Sequence, residues 1–272
     1  MNSYFKNNVI SISVATSLSK VAGFLRQIFI AAAFGIGITY DAFNYAYIIP
    51  GFLLIIIGGI NGPLHNAVVA VIAPLNKRDG GIVLTKVGIK LTILFLIVGL
   101  IVFLNSDLII DFIGPNLSTE SKSIATYQLK ILTPCIPLSA FIGLSFGALN
   151  TRNKFFISSI SPAFTSLITI LFISVSWILN NQNTTSNYFF YTGLLALATL
   201  TGTFIQFAIQ FWEIQKIGLL RFESRGHSVK KEEKRIFKLL IPASISSGLG
   251  QINVFIDMFF ASSFQGAASG LA

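Results

Sequence analysis

The chain has 272 residues, of which 53% are hydrophobic and only 11% are charged, whereas an average soluble domain has about 25% charged residues. Its net charge is +9, from 19 basic and 10 acidic residues. No charged residue occurs between Phe155 and Trp212, a stretch much longer than the roughly 20 apolar residues that cross a bilayer. The composition excludes a water-soluble fold and predicts an all-α integral membrane protein with about seven transmembrane helices.

The first predicted span, residues 8 to 33, contains two cations, Lys20 and Arg26. A cation in the middle of a spanning helix costs about 2.5 to 3.5 kcal/mol on insertion scales, so it requires a partner, a watery cavity or a ligand. The two side chains lie about 120° apart around the helix and ~9 Å apart along it, so they can line one broad cavity. Such a cavity suits an anion, above all a phosphate. Alternatively, both cations reach toward the membrane surface or pair with Asp41 and Asp257.

The second predicted span, residues 41 to 74, is about ten residues longer than a bilayer requires. Its sequence YIIPGFLLIIIGGINGPLHN is rich in proline and glycine. Broken helices often border transport sites, but close helix packing through small residues explains the same composition. Asn61 and His65 are candidates to line or gate a cavity, together with Ser19 and Asp41. For His65, burial against a backbone partner is the alternative.

The remaining apolar windows predict further spans at residues 88 to 106, 125 to 149, 155 to 179, 188 to 212 and 237 to 262. A polar segment separates the last span, which carries Asp257, from all the others. The predicted organisation is therefore a six-helix lobe at 1 to 212, a cytoplasmic linker at 213 to 236, and the first helix of a second lobe at 237 to 272.

The basic residues are distributed unequally between the two predicted sides of the membrane. Fifteen of the 19 fall in the segments on the side of the N-terminus, whereas the opposite side has only Lys122 and Lys130. The positive-inside rule therefore predicts a cytoplasmic N-terminus. It also explains the positive charge without a nucleic-acid partner, because the cations occupy short loops between apolar runs.

No pattern of residues typical of catalysis is present. Two histidines, one cysteine and scattered carboxylates supply no metal-ligand spacing, nucleotide-binding loop or nucleophile and base pair. The single cysteine, Cys135, lies in an apolar segment and has no second cysteine to pair with. The sequence predicts neither an enzyme nor a bound metal or cofactor.

Three blocks of the sequence carry a specific combination of residues. The first is SLSKVAGFLRQIFIAAAFGIGITYDAFNYAYIIP, the second is GALNTRNKFFISSISPAF between predicted helices four and five, and the third is IPASISSGLGQINVFIDMFFAS in the seventh helix. Together they resemble the MurJ/MviN lipid II flippases, a family in the polyprenyl-exporter branch of a large flippase superfamily. The blocks are distributed over the whole chain.

The resemblance implies two lobes of helices around a central cavity with alternating access, of which this chain would be an N-terminal fragment lacking the C-terminal half. The implied substrate is lipid II, moved from the cytoplasmic to the outer leaflet of the bacterial inner membrane for cell-wall synthesis. Arg26 takes the role of a family arginine that holds the pyrophosphate, and Lys20 stands where members usually have arginine. Some members bind sodium through an acidic residue on helix seven, and Asp257 lies at a compatible position.

The chain departs from the family pattern at Gln27, where members usually have Asp, and at Leu54 and Ile55, near which an arginine usually follows the proline. The expected partners are lipid II, membrane lipids and proteins of cell-wall synthesis. Two rival functions stay open at this point. One is another flippase of lipid-linked oligosaccharides or O-antigen from the same superfamily, and the other is a membrane scaffold that transports nothing.

Overall fold

The computed structural model describes residues 3–59, 62–180, 188–222, 227–264 and 266–271, and within these ranges all regular structure is helical. The helices are α1 (Ser3–Phe34), α2 (Ile38–Ile56), α3 (Pro63–Ile72), α4 (Lys77–Leu104), α5 (Ser106–Ile113), α6 (Thr119–Leu132), α7 (Cys135–Thr151), α8 (Phe155–Asn180), α9 (Tyr188–Lys216), α10 (His227–Leu249), α11 (Ile252–Ala261) and α12 (Ala267–Leu271). This confirms the all-α class predicted from composition.

Most predicted spans correspond to helices that are long and apolar enough to cross a membrane. Five such segments occur among the described residues: Val9–Phe34, Lys77–Leu104, Phe155–Ile178, Tyr191–Lys216 and Val229–Ala261. The helices α6 and α7 meet at a bend of 45°, and the number of such segments is six when this pair is counted as one span. The described residues therefore define a multi-pass membrane protein.

The second predicted span, residues 41 to 74, is divided into two helices at its glycine-rich middle. The helix α2 ends at Ile56 and α3 begins only at Pro63, and neither helix alone is both long and apolar enough to cross a membrane. Proline has no backbone N–H to donate and is favoured in the first turn of a helix, so Pro63 starts a new helix rather than continuing the old one. The chain therefore crosses this part of the bundle as two shorter helices.

The predicted linker at 213 to 236 is shorter than its polar composition indicates. The helix α9 continues to Lys216, and α10 already begins at His227. The first half of α10 buries Val229, Glu233 and Ile236 at helical spacing, against α3 and α4. Mean hydropathy misses this face, because the exposed side of the same turns is strongly charged.

The helix α7 lies at the centre of the bundle. It contacts α2, α3, α4, α8 and α9, and 12 of its 17 residues are buried. On one side of the bundle, α1 lies along α8, which in turn packs on α9. The helices α10 and α12 close the other side against α3, α4 and α2. This arrangement surrounds a space between α1, α2, α7, α8 and α9.

Ion pairs and polar contacts gather at the two ends of the bundle. At one end Lys154 pairs with Glu213 at 3.0 Å and Lys90 pairs with Glu233. At the other end Lys122 pairs with Asp111 at 2.8 Å, and Lys130 and Asp107 approach to 3.4 Å. The structure thus groups the charged segments as the predicted topology does, while the cytoplasmic placement of the N-terminus stays a prediction.

Candidate functional site

An open, partly polar cavity of about 430 Å³ lies between α1, α2, α7, α8 and α9. The described residues that line it are Ser19, Arg26, Tyr47, Leu54, Ile55, Gly58, Gly59, Ile142, Phe146, Pro162, Thr165, Ser166, Thr203 and Gln206. Among these lining residues Arg26 is the only charged one. The cavity therefore combines one fixed positive charge with several neutral hydrogen-bonding groups.

The guanidinium of Arg26 is half-buried and has unused hydrogen-bonding capacity. Its Nε atom is buried and has no hydrogen-bond partner among the described residues. The ion pairs found in the described part of the chain also leave Arg26 out. A buried donor without a partner costs about 1 to 3 kcal/mol, more if it is charged, so this arrangement favours the arrival of an anion.

Polar side chains of α8 and α9 that the sequence analysis missed lie at this cavity and next to it. The Thr165 hydroxyl donates to Gln206 Oε1 at 3.2 Å, and Gln210 Nε2 donates to Ser161 Oγ at 2.8 Å. These pairs join α8 to α9 across a stretch without any charge. Their spacing was the available signal, because residues 161 and 165, and residues 203, 206 and 210, each recur on one helix face.

The two predicted cations do not share this cavity. Arg26 and Ser19 line it, as predicted, whereas Lys20 is exposed on α1 and is not among the lining residues. Their separation around α1, about 120°, is too wide for a cavity that meets only one face of the helix. Within the described residues neither cation pairs with Asp41 or Asp257. Binding of a ligand by either cation stays a prediction.

Asp41 lies away from the cavity, where it connects α2 to α12. Its Oδ1 accepts a hydrogen bond from the backbone N–H of Ser269 at 3.0 Å and lies 3.3 Å from the Ser269 hydroxyl. Nearby, Asn44 donates to the carbonyl of Ala268 and Tyr45 donates to the carbonyl of Met258. Asp41 therefore holds α12 against the bundle. The sequence could not predict this contact, because Asp41 and Ser269 are 228 positions apart in the chain.

Replacing Asp41 with alanine is expected to release α12. A hydrogen bond to a carboxylate contributes about 1.5 to 3 kcal/mol, so the amide of Ser269 should exchange its hydrogen at least about tenfold faster. Hydrogen exchange followed by mass spectrometry measures this directly. Asp111→Ala serves as the control, because Asp111 pairs with Lys122 between α5 and α6. Unchanged exchange at Ser269 in Asp41→Ala would refute the assigned contact.

His65 is buried in a network of side-chain hydrogen bonds and does not line the cavity. Its Nε2 accepts from Asn150 Nδ2 at 2.8 Å, and its Nδ1 donates to Asn66 Oδ1 at 3.1 Å. The side-chain oxygen of Asn150, Oδ1, in turn accepts from the Ser158 hydroxyl at 2.7 Å. Burial is thus the better of the two interpretations, although the partners are amide side chains and not the backbone. Asn61 lies outside the described residues.

This network predicts the effect of removing the Asn150 amide. Asn150→Ala leaves a buried ring nitrogen of His65 without its donor, which costs about 1 to 3 kcal/mol of folding free energy. We expect a lower unfolding temperature of the purified protein in detergent. Asn253→Ala, at an exposed position on α11, should leave that temperature unchanged. Equal unfolding temperatures for the two variants would contradict the network.

Asp257 is exposed on α11 and forms no ion pair with the described residues. In that same part of the chain no group of histidine, cysteine, aspartate and glutamate side chains could hold a metal ion. A sodium site at Asp257 stays a prediction.

The fold and the cavity together define the class of protein. A helical multi-pass bundle with a broken second span and a partly polar cavity between its helices has the architecture of a membrane transporter. The sequence matches the family model described as "Lipid II flippase MurJ" over residues 30–272. The chain belongs to the MurJ lipid II flippase family, which confirms the resemblance predicted from the three sequence blocks.

Individual relatives agree with this assignment. A "Probable lipid II flippase MurJ" from Synechocystis is 37% identical over 262 residues, covering 96% of this chain and 49% of the relative. One from Rhizobium meliloti is 28% identical, covering 94% and 48%. A solved structure of "Lipid II flippase MurJ, inward closed conformation" superimposes with a TM-score of 0.75 at 25% identity, covering 96% of this chain and 53% of that one. The chain therefore spans about half the length of these proteins.

Proposed function

We propose that this chain carries the pyrophosphate-binding lobe of a flippase that moves lipid II from the cytoplasmic to the outer leaflet of the bacterial inner membrane. The observation that supports the proposal is Arg26, a half-buried cation whose Nε has no partner among the described residues, in the partly polar cavity of a MurJ-family bundle. Translocation makes and breaks no covalent bond, so the proposal assigns no enzymatic role to any residue.

The chemistry of the cavity suits a pyrophosphate. A guanidinium offers its N–H donors in a fixed fork that matches two phosphate oxygens, and the interaction is stronger in a water-poor site. Ser19 and Ser166 line the same space with hydroxyl groups that can donate to further oxygens, whereas the Thr165 and Thr203 hydroxyls already donate to Gln206 Oε1 and to the Thr199 carbonyl. The isoprenyl tail would remain in the lipid, because its transfer into a partly polar cavity would be unfavourable.

Alternating access follows from this arrangement. When the anion is bound, the positive charge of Arg26 compensates part of its negative charge. This lowers the free-energy cost of moving the anion across the bilayer. Binding energy that differs between the two access states can then shift their populations. In this proposal Lys20, exposed on α1, attracts the anionic headgroup toward the cavity before it reaches Arg26, while Asp257 is kept as the candidate for a coupling sodium ion.

Complementation tests the proposal. The chain is joined in frame to the second half of the Synechocystis relative, which gives a full-length protein that we call the joined flippase. We expect it to restore lipid II export in cells depleted of their own flippase. The intact relative is the positive control, and the amount of protein in the membrane is measured for both. A joined flippase that is present at equal amounts and exports no lipid II would overturn the proposal.

The same cells also distinguish lipid II from the rival substrate. A flippase of another lipid-linked oligosaccharide would also bind a pyrophosphate, so the cavity by itself does not discriminate between the two. Export of O-antigen precursors without rescue of lipid II export would instead assign the chain to that function.

A further inference from the structure

A second cavity, separate from the one around Arg26, opens between α4 and α10. Its volume is about 530 Å³, and its charged lining consists of Lys86 and Lys90 from α4 and Lys230, Glu233 and Lys234 from α10. Four cations therefore face one anion. We call this space the lysine cleft.

The lysine cleft is built from matching faces of the two helices. Its residues occur at positions 86, 89 and 90 on α4 and at positions 230, 233, 234 and 237 on α10, which is the spacing of one helix face in both cases. Lys90 pairs with Glu233, whose side chain is only 9% exposed, and this pair fixes the two helices together. Lys86, Lys230 and Lys234 enter none of the ion pairs found among the described residues, so they leave an excess of three positive charges.

An apolar groove adjoins the lysine cleft. It has a volume of about 260 Å³ and lies between α4, α7 and α9, where Ile89, Ile93, Phe211 and Phe222 form part of its wall. Ile89 lines both spaces, so the groove and the cleft share a wall on α4. An apolar cavity of about 150 Å³ already holds benzene, so this groove has room for a segment of a hydrocarbon chain.

We propose that the lysine cleft and the groove together bind an anionic glycerophospholipid, with its phosphate among the lysines and one acyl chain in the groove. The charge excess favours a phosphate, and the adjoining apolar space requires a ligand that is both anionic and apolar. Neither a soluble anion nor an acidic peptide would fill the groove. The cleft lies at the end of α4 that is predicted to face the cytoplasm, where anionic lipids attract juxtamembrane lysines. This inference does not depend on the transport of lipid II.

Such a lipid would have a structural consequence. It would connect α4 of the first lobe with α10, the helix that leads into the second part of the chain, where one ion pair joins the two helices among the described residues. Bound lipid is therefore expected to hold these two helices closer together than the Lys90–Glu233 pair does alone.

Titration of the purified protein with defined lipids tests the proposal. The protein in neutral detergent is titrated with dioleoyl phosphatidylglycerol, and bound lipid is counted by native mass spectrometry. We expect a retained lipid, whose affinity falls by about tenfold or more in the triple variant Lys86→Gln, Lys230→Gln, Lys234→Gln, because each lysine contributes to the attraction of an anionic headgroup. Dioleoyl phosphatidylcholine, with identical chains and no net charge, should not be retained.

A second triple variant provides the matched control. Lys231→Gln, Arg235→Gln, Lys238→Gln removes the same charge from exposed positions of α10 outside the lysine cleft, and should bind the lipid like the unchanged protein. Equal losses in both triple variants would show a general charge effect and overturn the site. Retention of phosphatidylcholine, or competition by glycerol phosphate at the concentration of the lipid, would overturn it as well.

The groove has its own test at Gly88. A Cβ atom at this position would meet Leu144 Cδ1 at 3.5 Å, an ordinary contact, so Gly88→Ala should fold normally and retain the lipid. The larger side chain in Gly88→Leu would fill the groove and should lower the affinity for phosphatidylglycerol by about tenfold or more. The unfolding temperature of each variant shows whether it is folded. If folded Gly88→Leu binds the lipid as tightly as Gly88→Ala, the acyl chain does not occupy the groove.

Discussion

Arg26→Gln in the joined flippase is expected to lower lipid II export by about hundredfold. The physical reason is that Arg26 is the only charge among the described residues that line the cavity, so no neighbouring cation replaces it. Loss of one partner from a buried, hydrogen-bonded charge pair costs about 2 to 5 kcal/mol, and each 1.36 kcal/mol corresponds to a factor of about ten in rate. Export is measured by the accessibility of lipid II at the outer surface of the cells.

The same substitution should not destabilise the folded protein. Arg26 Nε has no hydrogen-bond partner in the described structure, so its removal breaks no hydrogen bond at that atom. A cation within a spanning helix is unfavourable by about 2.5 to 3.5 kcal/mol on insertion scales, and a neutral residue relieves part of this cost. We therefore expect an unfolding temperature equal to or above that of the unchanged protein. This pairing of lost export with retained stability distinguishes a binding role from a structural one.

Two further variants complete this prediction. Arg26→Lys keeps the charge but loses the fork of donors, and should retain part of the export activity. Arg235→Gln, at an exposed position of α10, should export lipid II normally. Normal export by Arg26→Gln, at equal amounts of protein in the membrane, would remove Arg26 from the site and favour a scaffold that transports nothing.

Gly143→Ala is expected to have the largest effect on stability. The helix α7 passes so close to the break after α2 that a Cβ atom at residue 143 would lie 2.0 Å from the carbonyl oxygen of Ile57 and 2.9 Å from its carbonyl carbon. Both are backbone atoms, which cannot move aside as the end of a side chain can. Overpacking of this kind costs about 1 to 3 kcal/mol of folding free energy, occasionally more. We expect the loss in Gly143→Ala to be about 3 kcal/mol or more.

The measurement for Gly143→Ala is the unfolding temperature of the purified protein in detergent, together with its folded yield. Gly23→Ala on α1 is the matched control, because the nearest atom to its added Cβ would be Ser166 Oγ at 4.0 Å. That control should be neutral or slightly stabilising, since alanine favours a helix by about 0.8 to 1 kcal/mol over glycine. Equal stability of the two variants would contradict the close approach of α7 to Ile57.

The sequence by itself determined the class, the family and most of the spans. These properties depend on the hydropathy of each segment and on local motifs, and a bilayer imposes the same apolar requirement on every spanning helix whatever its neighbours are. The same reasoning identified Arg26 as a candidate cavity residue, because the insertion cost of a cation can be read from its position in one span. The unequal distribution of cations also predicted which segments gather at each end of the bundle.

The tertiary structure decided which polar side chains meet. Only the packing of α1 on α8 shows that Arg26 lines the cavity while Lys20 lies outside it. In the same way, it placed Asp41 against Ser269 and His65 against Asn150, outside the cavity for which the sequence offered both as candidates. A hydrogen bond depends on distances of a few tenths of an ångström between helices that are far apart in the chain, and no local pattern encodes those distances.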